Sequence, residues 1–103
     1  MTSYRVAVDF GPTEDGTDLW ATWRRVGPAY NLLVEKGYAA GSGHGHIGDQ
    51  GVGTAAIYVK ISDAPSPLAA IAEAVRLVSA ALEATTGVPA DLDVSVSIES
   101  PED

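Results

Sequence analysis

The amino-acid sequence predicts a single α+β domain, and three observations carry that prediction. Apolar and polar residues alternate with period two from Tyr4 to Phe10 and again from Leu92 to Glu99, the pattern of half-buried strands. Two apolar stripes at helical spacing lie between those strands: Leu19, Trp23, Val26, Tyr30 and Leu33, then Leu68, Ile71, Val75, Val78 and Leu82. Separating the stripes is a run rich in glycine and β-branched residues that reads as two strands joined by a turn. At 103 residues the chain suits one hydrophobic core.

Each element has its own local justification. The first strand turns Tyr4, Val6, Val8 and Phe10 to one face and ends at Gly11-Pro12-Thr13-Glu14-Asp15-Gly16. Thr17 or Asp18 can cap the helix that follows, with Trp20 and Val34 flanking its stripe. Gly27-Pro28 interrupts that stripe, yet the apolar phase continues across it, so one kinked helix ending at Gly37 is predicted. Strands over Ala39 to Ile47 and Val52 to Ser62 follow, the latter with Ala55, Ile57, Val59 and Ile61 inward. Ser66-Pro67 opens the second helix with a capping hydroxyl and a proline in its first turn, and Gly87 stops it. The last strand places Leu92, Val94, Val96 and Ile98 inward. Residues 1–100 are expected to form the domain and 101–103 a short acidic tail. The order β-α-β-β-α-β predicts a ferredoxin-like arrangement: a four-stranded antiparallel sheet, order 4-1-3-2, with two helices on one face. So widely used an arrangement does not specify a function, which has to be argued from sites.

Composition removes several function classes. The chain has no cysteine, which excludes disulfides, thiolate metal sites and a cysteine nucleophile. Its formal net charge of −8 repels phosphate backbones and anionic membranes, so neither nucleic acid nor a membrane is an expected partner. The N-terminus shows no signal-peptide pattern, and Glu73, Arg76 and Glu83 interrupt the apolar segment from Pro67 to Ala84. These features predict a soluble cytoplasmic protein. Abundant alanine and glycine, with lysine only at 36 and 60, suggest GC-rich coding of a bacterial type.

The segment GSGHGHIGDQGVG, residues 41–53, is the most suggestive stretch. GHGHIG within it matches G-x-G-x-x-G, but that fingerprint needs a helix directly after it, and here a strand follows. A nucleotide cofactor is therefore not expected, nor any other cofactor. His44 and His46 are two apart, so on a strand they share a face and could chelate, although zinc usually takes three or four protein ligands. They are weak metal candidates. Two registers compete for the hairpin. A two-residue turn at Asp49-Gln50 would set His46 opposite Gly53 and His44 opposite Ala55, on the core face. A three-residue turn ending at Gly51 would set His46 opposite Thr54, His44 opposite Ala56 and Ser42 opposite Tyr58. The second register keeps polar with polar and is the one expected. It leaves Gly41, Gly43 and Gly45 inward, making room for Trp20, Trp23 and Tyr30.

With that register, the sheet face away from the helices carries Arg5, Asp9, Ser42, His44, His46, Thr54, Tyr58 and Lys60, the candidate ligand-binding or interface residues. Asp93, Ser95, Ser97 and Glu99 flank them on the last strand, with Ala7 and Ala56 between. Small side chains around one amphipathic aromatic suit a protein interface, and two-fold homodimers are the commonest assembly. Glu14, Asp15 and Asp18 could hold a hard cation but are better explained as helix N-terminal charges. No serine has the setting of an activated nucleophile, so no catalytic residue is assigned. The expected function is a small acidic, non-enzymatic accessory, regulatory or immunity-type protein that uses its open sheet face, with a protein partner or a second copy. The alternatives are a small-molecule-binding protein or small enzyme using His44 and His46, and a histidine-based metal-binding module.

Overall fold

A computed structural model describes residues 2–11, 21–47, 52–88 and 93–102, with side chains described except at Ala21, Ala40, 42–47, 52, 53 and 100–102. In chain order the elements are β1 (Thr2–Phe10), α1 (Ala21–Glu35), β2 (Ala39–Ile47), β3 (Val52–Ala64), α2 (Pro67–Ala84) and β4 (Val94–Glu102). All strand pairs are antiparallel, in the order β2-β3-β1-β4.

Packing divides this sheet unequally. The buried core draws on β1 (Val6, Val8, Phe10), β3 (Ala55, Ile57, Val59, Ile61, Ala64) and both helices, with Val96 and Ile98 of β4 packed against it. From β2 only Ala39 joins, among the described residues. The ferredoxin-like expectation is corrected accordingly. The unit on which the packing stands is a three-stranded antiparallel sheet, β3-β1-β4, with two helices. β2 is added along its edge through backbone pairing. The physical reason is composition: Gly41 to Gly45 offers little apolar surface to bury, so β2 cannot carry a quarter of the core. β4 continues through the stretch expected as a tail, with Pro101 paired to Tyr4 and Glu102 to Ser3.

The helices show what pattern alone leaves open. Pro28 lies inside α1 and is exposed, so the apolar phase crosses it unbroken. Thr22, Val26, Ala29 and Leu33 of α1 are buried, and Thr22 donates its hydroxyl to the Gly11 carbonyl at 3.3 Å, tying the helix to the end of β1. Trp23 and Tyr30 meet at 5.6 Å between ring centroids and cover the core edge. Trp20 and the capping candidates Thr17 and Asp18 lie outside the described residues. At the other end Gly37 (φ 80°) donates to the Val34 carbonyl and Tyr38 to the Leu33 carbonyl. This is a Schellman stop, in which the left-handed residue carries no Cβ penalty.

In α2 the Ser66 side chain accepts from the Ala69 amide at 3.1 Å, and Pro67 begins the helix as the sequence predicts. The buried residues are Ala70, Ala74, Val78, Ala81 and Leu82, whereas Leu68 is 76% exposed and Val75 41%. The expected stripe of Leu68, Ile71, Val75, Val78 and Leu82 is thus rotated toward the alanines. Small side chains let the helix approach the sheet closely, and that contact wins over the bulkier neighbours.

Candidate functional site

The open face follows from period-two alternation on the three packed strands. Ala7 pairs with Tyr58 on one side and Ser97 on the other, Asp9 with Ala56 and Ser95, and Arg5 with Lys60. Their strand neighbours Val6, Val8, Ile57 and Val59 are core, so these residues point the other way.

The β2–β3 hairpin departs from expectation here. His44 is opposite Ala55, His46 opposite Gly53 and Ser42 opposite Ile57, while Gly41, Gly43 and Gly45 are opposite Tyr58, Ala56 and Thr54. That is the register a two-residue turn would give, and it replaces the one expected. The turn itself lies outside the described residues, as do the acidic residues Glu14, Asp15 and Asp18. Ser42, His44 and His46 therefore occupy register positions on the helix-covered side, apart from Arg5, Asp9 and Tyr58. The expectation that glycines make room for tryptophan is overturned with it.

The cause sits at the far end of β2. The register shifts between Ala39, paired with Val59, and Gly41, paired with Tyr58. Such an irregularity reverses the face of every residue beyond it. Gly41 has φ 147°, and a Cβ built on it would stand 3.4 Å from the Arg5 Nη2 and 3.6 Å from the Tyr58 Cδ2. The glycine thus borders two side chains of the open face at ordinary contact distance, and what disfavours a side chain there is the backbone angle. Turn chemistry and polar matching missed this because they weigh the hairpin only from its tip.

Beside that glycine the Arg5 guanidinium lies over the Tyr58 ring, 4.6 Å from its centroid. A cation over an aromatic face is attracted by the ring quadrupole. The Arg5 Nε is buried and has no hydrogen-bond partner among the described residues. Around the pair, Ala7 is 2% exposed and Ala56 6%, so both are shielded on a face that no described helix covers. The sequence held a signal for this pairing: Arg5 and Tyr58 both point outward on neighbouring strands, with Tyr58 two residues from the direct partner of Arg5.

Toward β4 the face is acidic. Burial pushes the Asp9 carboxyl above its ordinary value, and the nearby charge of Glu99 pushes it further. Asp9 and Thr54 join Phe10, Gly11, Asp93 and Ser95 around a shallow cavity of about 350 Å3 at the end of the sheet. Lys60 is exposed, and its backbone amide donates to the Tyr38 carbonyl at 3.1 Å.

The structure thus brings together Arg5, Asp9, Tyr58, Lys60 and Thr54 on one face, while for Ser42, His44 and His46 it gives the backbone register alone. Among the described residues no three His, Asp or Glu side chains converge as a metal site. Among those residues, too, no helix is long and apolar enough to cross a membrane. The arrangement offers a donor-rich cation stacked on an aromatic, a carboxylate at the other end, and a floor of small side chains between. Such a surface can dock against another. No protein-family model, no curated protein and no solved structure matches this chain.

Proposed function

We propose that this protein is a non-enzymatic interaction module, an accessory, regulatory or immunity-type protein of the bacterial cytoplasm, that docks through its open sheet face and pairs there with a second copy. The observation that carries this reading is Arg5 stacked on Tyr58 with its Nε buried and lacking a hydrogen-bond partner. Tyr and Arg are among the residue types that most often anchor interfaces.

Charge supports self-pairing. Arg5 and Asp9 stand two residues either side of Ala7 on β1. A two-fold axis running between two such faces, across the strands at Ala7, sets each Arg5 against the other copy's Asp9. An isologous contact of this kind is self-complementary by construction. No described feature favours the histidine-centred alternatives.

Sedimentation equilibrium tests the proposal. Wild type is expected to dimerise, Asp9→Arg to be monomeric, and the swap Arg5→Asp with Asp9→Arg to recover the dimer. A wild-type monomer at every attainable concentration overturns self-pairing. A dimer indifferent to Asp9→Arg and to Tyr58→Ser overturns the use of this face.

A further inference from the structure

Two adjoining cavities beside the C-terminal end of α1 set cations of this acidic chain beside an apolar floor. The larger, about 350 Å3, is lined by Gly37, Tyr38, Lys60, Ile61, Glu73 and Leu77 among others. The smaller, about 150 Å3, lies between the helices over Leu32, Leu33, Ala80 and Ala81, with Lys36 and Arg76 on its walls. Tyr38 and Leu77 belong to both, so the two form one groove. The chain has 6 Lys and Arg against 14 Asp and Glu. Two of those cations, Lys36 and Arg76, stand on the walls of this groove with one carboxylate, Glu73, among its lining residues.

We propose that this groove binds a small amphipathic organic anion, a carboxylate carried on an aryl or short alkyl body. The apolar body lies along Leu32, Leu33, Leu77 and Ala81, and the carboxylate meets Lys36 and Arg76. Ligand sites are commonly concave and mostly apolar, with a few convergent polar groups that fix orientation. The backbone of Tyr38 is fixed by the Schellman hydrogen bond from its amide to the Leu33 carbonyl, 2.9 Å, and the residue lines both cavities. It remains 40% exposed, leaving an aromatic surface for the ligand. Arg76 bonds Glu73 through Nε and Nη2. A guanidinium carries five N–H donors, so the pair still has donors for a second carboxylate. In a chain of net charge −8, a locally cationic groove selects anions against the general repulsion of the surface.

The test compares 4-phenylbutyrate with 4-phenylbutan-1-ol, which has the same body without the charge. Titrations followed by amide NMR are expected to give saturable shifts at Tyr38, Ile61 and Leu77 with the carboxylate, and binding about tenfold weaker with the alcohol. Added salt weakens only the carboxylate. The double variant Lys36→Gln, Arg76→Gln loses that preference while keeping the dispersed spectrum of the folded chain. Tyr58, on the other face of the sheet, stays unshifted, so failure here is distinct from failure of the proposed docking face. Equal binding of acid and alcohol overturns the proposal, as does an unchanged preference in the double variant or the absence of saturable shifts at those three amides. Should the double variant unfold, the salt dependence and the alcohol comparison on wild type decide it.

Discussion

The two faces of the sheet shield side chains to nearly the same degree by different means. On the helix-covered face, Val6, Ile57 and Val59 are fully buried beneath α1 and α2, among apolar side chains that both helices contribute. On the open face Ala7 and Ala56 are almost as inaccessible, yet what surrounds them is Tyr58, Arg5 and Asp9 from the same strands. One face is a core in the energetic sense. The other is a surface whose own long side chains lie down across small ones. The difference teaches that burial alone does not mark a core: what matters is whether the cover comes from another element held in place by the rest of the fold.

That distinction can be broken by experiment. Removing the Phe10 ring, which is 2% exposed, should cost about 3–5 kcal/mol in urea or guanidinium unfolding. Tyr58→Ala should cost much less, about 1 kcal/mol, because its ring leaves no enclosed cavity and forfeits chiefly the Arg5 contact. If the two variants lose stability equally, the open face is a second core and the comparison fails. Gly41→Ala sharpens the point. It puts a Cβ on backbone at φ 147°, which residues with side chains rarely adopt, and should cost about 1–3 kcal/mol although it adds only a methyl group. A neutral outcome would mean that β2 does not need its glycine there.

Ser66→Ala serves as the reference for a purely local effect. It removes the bond to the Ala69 amide and should cost about 1 kcal/mol, independent of either face.

The smallest expected effect is electrostatic and belongs to the open face. Asp9 titrates above its ordinary value when folded, chiefly because burial disfavours its charge. The folded state therefore binds a proton that the unfolded state has already released. Stability falls as pH rises from the unfolded carboxylate value through the folded one. Asp9→Asn should be more stable than wild type at neutral pH, with the advantage fading as pH drops through the carboxylate range. Thermal unfolding followed across pH reads this directly, and a pH-independent difference would remove Asp9 from the argument.

How far the sequence could be read depended on where each decision is made. The Ser66-Pro67 start, the Gly37 stop and the alternation of β1 and β3 are local, and each lies where its residues predict. The stripe on α2 was misread because it is broad. Leu68 and Val75 are as apolar as anything on the helix, and only the close approach of Ala70, Ala74 and Ala81 to the sheet turns them outward. The hairpin was misread because its register is fixed by a shift near Gly41, several residues from the turn whose chemistry favoured the other pairing. Of the candidate site, Arg5, Asp9, Thr54, Tyr58 and Lys60 were legible as outward positions on well-patterned strands. Ser42, His44 and His46 were not, since parity beyond an irregularity cannot be counted from alternation alone.

By itself the sequence determined the elements, their order, the absence of thiol chemistry and the acidic balance, because propensity, capping and composition act within a few residues. The tertiary structure decided which of two apolar stripes is buried, which way β2 faces, and that Arg5 lies on Tyr58. Those outcomes depend on the distance between elements and on the backbone angle of a glycine one strand away, and no local pattern encodes either.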